Sequence, residues 1–407
     1  MITNIEKLDN FGRGITYIND KICFVDNALP NEKVEIEITK EKKKYLEAKI
    51  IKILEKSEDR IKPLCPYSNE CGGCNLSHLS YEKENDFKYN KVKDLIKKFI
   101  NEDIELKGIV YDKEYEYRNK IVLHGNNNVS GQYKKYSNDI VNIDKCLLVN
   151  NRINEIIKLL KSNSIEEATI KTSNDLSNTL LNVKGNIKNI DELKSKVDVL
   201  IINNKLLSPN KSIISNIGNN KYYLSSNSFF QVNRFLTESL YNEVLNIVKT
   251  INPCEVLDLY CGTGTIGIYI SNYCREIVGV DYNKSNIEDA NKNKELNNCN
   301  NISFICNKVE NIIDNYKDID LIIVDPPRSG LDDHTRKILK KMMSKTIIYV
   351  SCDPVTLMRD LKDLKEKYNI KYIKPFNMFP RTYHVECISV LERKSVENKG
   401  FEKIGKY

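Results

Sequence analysis

The chain is 407 residues long, more than one hydrophobic core usually organises, so two or three domains are expected. Apolar residues make up 41% and charged residues 29%, which excludes a disordered or fibrous chain, and no apolar run approaches the ~20 residues of a bilayer-spanning helix. The net charge of +7 suits a polyanionic partner such as nucleic acid but does not require one.

The opening stretch, Met1 to Asp9, has no basic flank running into an apolar segment. A secretory signal is therefore not expected, and a cytoplasmic location is. In that reducing setting the 12 cysteines are not expected to form a disulfide framework. Any that cluster become candidates for ligand or catalytic roles.

Residues 1–57 read as short strands. Gly12-Arg13-Gly14 marks a turn, and residues 21–25, 34–38 and 48–54 carry strand patterns, the second alternating with period two. So many strands in so small a unit predict an OB-like β-barrel, a frequent nucleic-acid platform. Residues 58–224 form an expected middle α+β domain. It opens with a cysteine array, continues through a basic helix over 87–99, returns to strand at 121–123, and then mixes helix (153–160) with strand (179–183). Residues 225–407 alternate apolar strands at 255–260, 276–281, 321–325 and 346–350 with helical segments. That order predicts an α/β, Rossmann-like domain with a mostly parallel sheet.

Residues 256–267 read as strand, glycine-rich turn and helix. Gly262 and Gly264 let the backbone approach a ligand, and Gly267 completes a G-x-G-x-x-G spacing that a dinucleotide site would share. Asp258 separates the two cofactors in kind: a carboxylate there suits the amino group of an amino-acid-bearing cofactor and repels a pyrophosphate. Asp281 ends the next strand, placed to accept from ribose hydroxyls. The run Asp258-Leu-Tyr260-Cys261-Gly262-Thr263-Gly264 resembles the first motif of class I methyltransferases, which implies S-adenosylmethionine.

Asp325-Pro326-Pro327-Arg328 follows the third strand, its prolines fixing an extended turn that presents the carboxylate. Enzymes that methylate exocyclic amines carry an aromatic residue after such prolines; Arg328 stands there instead. One strand further on, Ser351-Cys352-Asp353-Pro354 sets a thiol at the same expected sheet edge. A thiolate there can add to an electron-poor carbon. Uracil C5 needs such help, because only after addition at C6 is it nucleophilic enough to take a methyl group. A base must then remove the C5 proton. His384 and Glu386, two residues apart and on one face if the segment is a strand, are the candidates.

Cys65, Cys71 and Cys74 form a C-x5-C-x2-C array with Cys146 as a candidate fourth ligand, a set suited to zinc or to an iron–sulfur cluster. Taken with Phe229-Phe230-Gln231-Val232-Asn233, the cofactor loop, the Asp-Pro-Pro-Arg and Ser-Cys-Asp-Pro runs and Pro380-Arg-Thr-Tyr-His-Val-Glu386, the chain resembles the RNA uracil-5-methyltransferase family over nearly its whole length. The resemblance implies an N-terminal TRAM domain of OB-like fold. It implies cofactor contacts from Gln231, Tyr260, Asp281 and Asp325, Cys352 as nucleophile and Glu386 as base. It further implies a [4Fe-4S] cluster on Cys65, Cys71, Cys74 and Cys146, a feature of the members acting on 23S rRNA. Asp281 stands where many members carry Glu. Arg118, Lys120, Lys134 and Lys135, interleaved with Tyr117, Tyr133 and Tyr136, form an expected RNA-facing set on a monomeric enzyme. The competing expectations are tRNA as substrate, or a non-catalytic RNA-binding iron–sulfur protein.

Overall fold

The computed structural model describes residues 1–126, 129–342 and 344–394, so the last residues of the expected third domain lie outside the described ones. No helix among the described residues is long and apolar enough to cross a membrane.

Six strands between Ile2 and Glu55 form the first sheet. The long pair Lys33–Glu41 and Tyr45–Glu55 is antiparallel and shifts register at three points, which bends it around Val25, Val34, Ile36, Leu46 and Ala48. The alternation seen at 34–38 is the cause: Val34 and Ile36 point inward and are buried.

A seven-stranded sheet follows, with Ser164–Thr172 paired between Lys120–Asn126 and Thr179–Asn186. Helix Asn151–Leu160 lays Ile153, Ile156, Ile157 and Leu160 onto it, and Asn150 caps the helix by accepting from Ile153 N.

The third sheet has eight strands. In spatial order they are Ile302–Cys306, Glu276–Asp281, Glu255–Leu259, Leu321–Val324, Thr346–Ser351, Glu386–Arg393, Tyr368–Phe376 and Glu105–Leu106. The first five are mutually parallel, and Glu386–Arg393 runs antiparallel between Thr346–Ser351 and Tyr368–Phe376. Leu321–Val324 is buried at every position, as a central strand covered on both faces must be. Strand order reverses beside Glu255–Leu259, which opens the crevice where α/β sheets bind ligands. The inverted strand matters more. Ser351 pairs with Cys387, so the beginning of Glu386–Arg393 meets the end of Thr346–Ser351 at the same sheet edge.

Helix Tyr81–Phe99 and strand Glu105–Leu106 fall within the stretch assigned by sequence to the middle domain, yet they belong to this third unit. Val92, Leu95, Ile96 and Ile100 share one apolar cluster with Leu361, Leu364 and Ile373. The helix lysines divide accordingly: Lys93, Lys97 and Lys98 are exposed, whereas Lys88 and Lys91 are buried against the catalytic unit.

Candidate active site

The cofactor loop turns through three residues in the left-handed region, Tyr260 (φ 62°), Gly262 (φ 54°) and Gly264 (φ 75°). At Gly264 a Cβ would stand 2.4 Å from the Phe304 ring, so only glycine fits, while at Gly262 it would meet open space. Asp258 ends up fully buried beneath the turn. Its Oδ2 accepts from Gly267 N at 3.1 Å, but its Oδ1 has no partner. Asp281 accepts through Oδ2 from Gly262 N (3.1 Å) and through Oδ1 from Asn283 N (2.8 Å) and Asn286 Nδ2 (3.2 Å), which leaves Oδ2 capacity for one more donor.

Asp258, Tyr260, Gly262, Thr263, Asp325 and the exposed Phe229 line one cavity. Asp281 and Gln231 are not among its lining residues. Asp281 supports the loop through Gly262 N, and Gln231 is buried with a carboxamide that makes no hydrogen bond to protein among the described residues, while its backbone carbonyl accepts from Asn119 Nδ2. An unpartnered buried carboxylate oxygen calls for a cationic or hydrogen-donating guest. Burial and the neighbouring Asp325 push the Asp258 carboxyl up to about 7, and burial lifts Asp325 to about 7 as well. A cofactor carrying ammonium and sulfonium charge fits this donor set; a pyrophosphate does not.

Asp325 heads a turn that is clamped from behind. The buried Asp360 carboxylate accepts from Leu331 N (2.8 Å) and from the Tyr349 hydroxyl (2.7 Å), and it pairs with Arg336 (3.1 Å) and Arg359 (2.8 Å). Thr356 Oγ1 donates to Arg328 O at 3.1 Å. Helix Pro354–Leu364 thus holds the Asp-Pro-Pro-Arg turn in place.

Cys352 lies in the two-residue link between strand Thr346–Ser351 and that helix. Asp353 caps the helix by accepting from Val355 N (2.8 Å) and Thr356 N (3.0 Å), with Pro354 at its first position. The half-buried Cys352 thiol is pushed up to about 12, by burial first and then by Glu386 and Asp325, while Arg328 acts in the opposite sense. Glu386 is fully buried, and burial together with Asp325 drives its carboxyl well above the usual range. Cys352, Asp325 and Glu386 therefore form one electrostatic unit at the sheet edge.

Two expectations are corrected. His384 is not on a strand with Glu386: the strand begins only at Glu386, after the turn at Arg381–Thr382, so the shared-face argument does not apply. The His384 ring lies 4.2 Å from that of Tyr383, and burial lowers its imidazole to about 3, so it stays neutral. Tyr117 is wholly buried, its hydroxyl donating to Pro380 O at 3.1 Å, and cannot face RNA. Lys134, Lys135, Tyr133 and Tyr136 do border a surface groove, which Phe11, Arg13 and Tyr383 complete. Nothing in the spacing of those last three singled them out.

Cys65, Cys71, Cys74 and Cys146 are free thiols. Burial raises the Cys74 thiol, and Cys146, Cys71 and Cys65 add to the rise, so the four are near neighbours. Among the described residues no three His, Cys, Asp or Glu side chains converge to hold a single metal ion.

The parallel sheet, the glycine loop at its switch point and the acidic cavity define a class I S-adenosylmethionine-dependent methyltransferase with an additional N-terminal β-domain. The sequence profile described as tRNA (Uracil-5-)-methyltransferase matches residues 156–394, and the TRAM domain profile matches residues 4–51. An uncharacterized RNA methyltransferase of Clostridium acetobutylicum is 34% identical over 96% of this chain and 96% of its own. A second from Clostridium tetani is 33% identical over 93% of each. The crystal structure of Pyrococcus abyssi tRNA (uracil-54, C5)-methyltransferase in complex with S-adenosyl-L-homocysteine is similar with a TM-score of 0.80 and 26% identity, covering 96% of this chain and all of that one. The chain belongs to the tRNA (uracil-5-)-methyltransferase family and is an S-adenosylmethionine-dependent RNA methyltransferase.

Proposed function

We propose that the enzyme methylates C5 of a uridine in 23S rRNA, with Cys352 as nucleophile and Glu386 as base. The observation that carries this reading is the Ser351–Cys387 register, which brings the Cys352 and Glu386 positions to one sheet edge near Asp325, a residue that lines the acidic cavity. The Cys352 thiolate adds to uracil C6, and the C5–C6 electron pair moves to C5. Gln231, Asp258, Tyr260, Asp281 and Asp325 would hold S-adenosylmethionine, whose methyl group would pass to C5 as S-adenosylhomocysteine departs. Glu386 then takes the C5 proton, the C5–C6 double bond re-forms, and sulfur leaves C6 as thiolate. The target must leave its stack to reach Cys352, and Tyr133, Tyr136 and the nearby lysines offer stacking faces and charge for flanking nucleotides.

Cys65, Cys71, Cys74 and Cys146, four neighbouring thiols, would hold a [4Fe-4S] cluster. Uracil methylation involves no electron transfer to or from a redox centre, so the cluster's part is structural or RNA-positioning. Loss of iron and of brown absorbance in Cys71→Ser is the expected result; retention of both removes the assignment.

RNA substituted with 5-fluorouridine tests the chemistry, since fluorine cannot leave as a proton would. Wild type with cofactor should form a denaturation-stable adduct that Cys352→Ala does not, and failure of wild type to form it sinks the proposal. The likeness to an archaeal tRNA (uracil-54, C5)-methyltransferase favours tRNA as the second reading. Parallel assays on purified rRNA and tRNA decide between them.

A further inference from the structure

The loop between strands Tyr368–Phe376 and Glu386–Arg393 delivers Glu386 to the site, and its backbone is gripped to an unusual degree. Met378 O accepts from Asn233 Nδ2 (3.1 Å), Phe379 O from Lys88 Nζ (3.0 Å) and Pro380 O from the Tyr117 hydroxyl (3.1 Å). Arg381 O accepts from Asn75 N (2.9 Å) and Leu76 N (3.0 Å), and Tyr383 O from Lys91 Nζ (3.0 Å). The donors come from four separate stretches of chain.

At the centre lies a buried charged knot. Lys88 Nζ donates to Glu84 Oε1 (2.7 Å) and Asn377 Oδ1 (2.6 Å), and both residues are fully buried. Glu84 also accepts from the Arg381 backbone N at 2.9 Å and from Asn377 Nδ2 at 3.2 Å. Arg381 is itself buried and sits at φ 68°, a conformation that a non-glycine residue holds only when its surroundings impose it. Its guanidinium donates to Leu79 O (2.7 Å) and pairs with Glu114. Apolar side chains would fill this volume with less desolvation, so the knot's value lies in directing the loop.

We infer that Glu84, Lys88 and Arg381 are positioning residues that fix the loop so that Glu386 reaches the C5 proton after methyl transfer. The inference rests on Glu386 being the base. The clamp acts on the last step of the reaction and leaves the first, thiolate addition, to Cys352 on its separate strand end.

The test is the double variant Glu84→Gln/Lys88→Met, which removes both charges together and so avoids leaving one buried and unpaired; Tyr117→Phe, which removes one grip without touching charge, is the milder companion. Turnover should fall on the order of 10-fold or more in the double variant, the scale of a displaced catalytic group. A denaturation-stable adduct should then accumulate on ordinary uridine RNA, because release has become slow. Adduct formation with 5-fluorouridine RNA should stay within about twofold of wild type, since it needs no proton removal. Wild-type turnover, or loss of the 5-fluorouridine adduct in step with turnover, overturns the inference. Glu386→Gln serves as the control. If it accumulates adduct and the clamp variants do not, only the positioning inference falls; if it accumulates none, the base assignment falls and takes the clamp with it.

Discussion

Asp258→Asn removes a buried charge whose only hydrogen-bond partner among the described residues is one backbone N–H. The Asp258 carboxyl stands at about 7 in the folded protein. It lies near 3.9 in an unfolded chain, so the gap of about 3 units corresponds to about 4 kcal/mol. The unfolded chain ionises first as pH rises, so ligand-free stability should fall from about pH 4 to about pH 7 and stay low above it. The full figure is an upper bound, because Asp325 lies close enough to titrate together with it. A cationic cofactor reverses the penalty by favouring the ionised form. Urea unfolding at about pH 5 and about pH 8, with and without S-adenosylhomocysteine, measures both effects. Wild type should lose about 2–4 kcal/mol across that range without ligand, and Asp258→Asn clearly less. The variant should bind S-adenosylhomocysteine roughly 10- to 100-fold more weakly at the higher pH, the worth of a charged hydrogen bond. An unchanged pH slope, or undiminished binding, would refute the reasoning.

Gly264→Ala should destabilise by about 1–3 kcal/mol and weaken cofactor binding, because the new Cβ meets the Phe304 ring at a positive φ; denaturation and calorimetric titration measure both. Asp360→Asn leaves Arg336 and Arg359 facing a neutral partner. It should cost about 1–3 kcal/mol in unfolding experiments, since Arg336 keeps Asp333 and Asp363 and Arg359 is half exposed, and slow turnover by loosening the Asp325 turn. Cys352→Ser should keep S-adenosylhomocysteine affinity within about twofold while methylation falls below detection, since the hydroxyl is a far weaker nucleophile; surviving methylation would point to another nucleophile.

The catalytic strands could be read in advance because a central parallel strand is apolar throughout, as Leu321–Val324 is; Val199–Ile202 in the second sheet shares that pattern, so the strand–helix alternation around Leu321–Val324 was needed as well. Asp325 and Cys352 follow such strands directly, so their common edge was legible too. Glu386 was different. Its place depends on one strand running against the others, and residues 386–393 carry no local mark of direction. The helix at 81–99 showed its apolar stripe at Val92, Leu95 and Ile96 but not what would cover it. Lys88 and Lys91 therefore read only as part of a basic helix, and their burial followed from the partners that a distant loop supplied. Tyr117 misled for the same reason: a tyrosine among basic residues resembles a stacking platform until its hydroxyl is found bonded to Pro380 O.

The excursion of residues 81–106 onto the third sheet makes the catalytic unit discontinuous along the chain. A fragment starting near residue 225 would lack an edge strand and would expose the apolar flank formed by Leu361, Leu364 and Ile373. Such a fragment should aggregate rather than work as a minimal methyltransferase. Transplanting substrate preference between relatives by swapping at that point would cut through a core, and keeping 81–106 with the catalytic half would still divide the cluster in which Leu180, Ile213, Tyr222 and Leu224 pack with Leu240, Val244 and Val256.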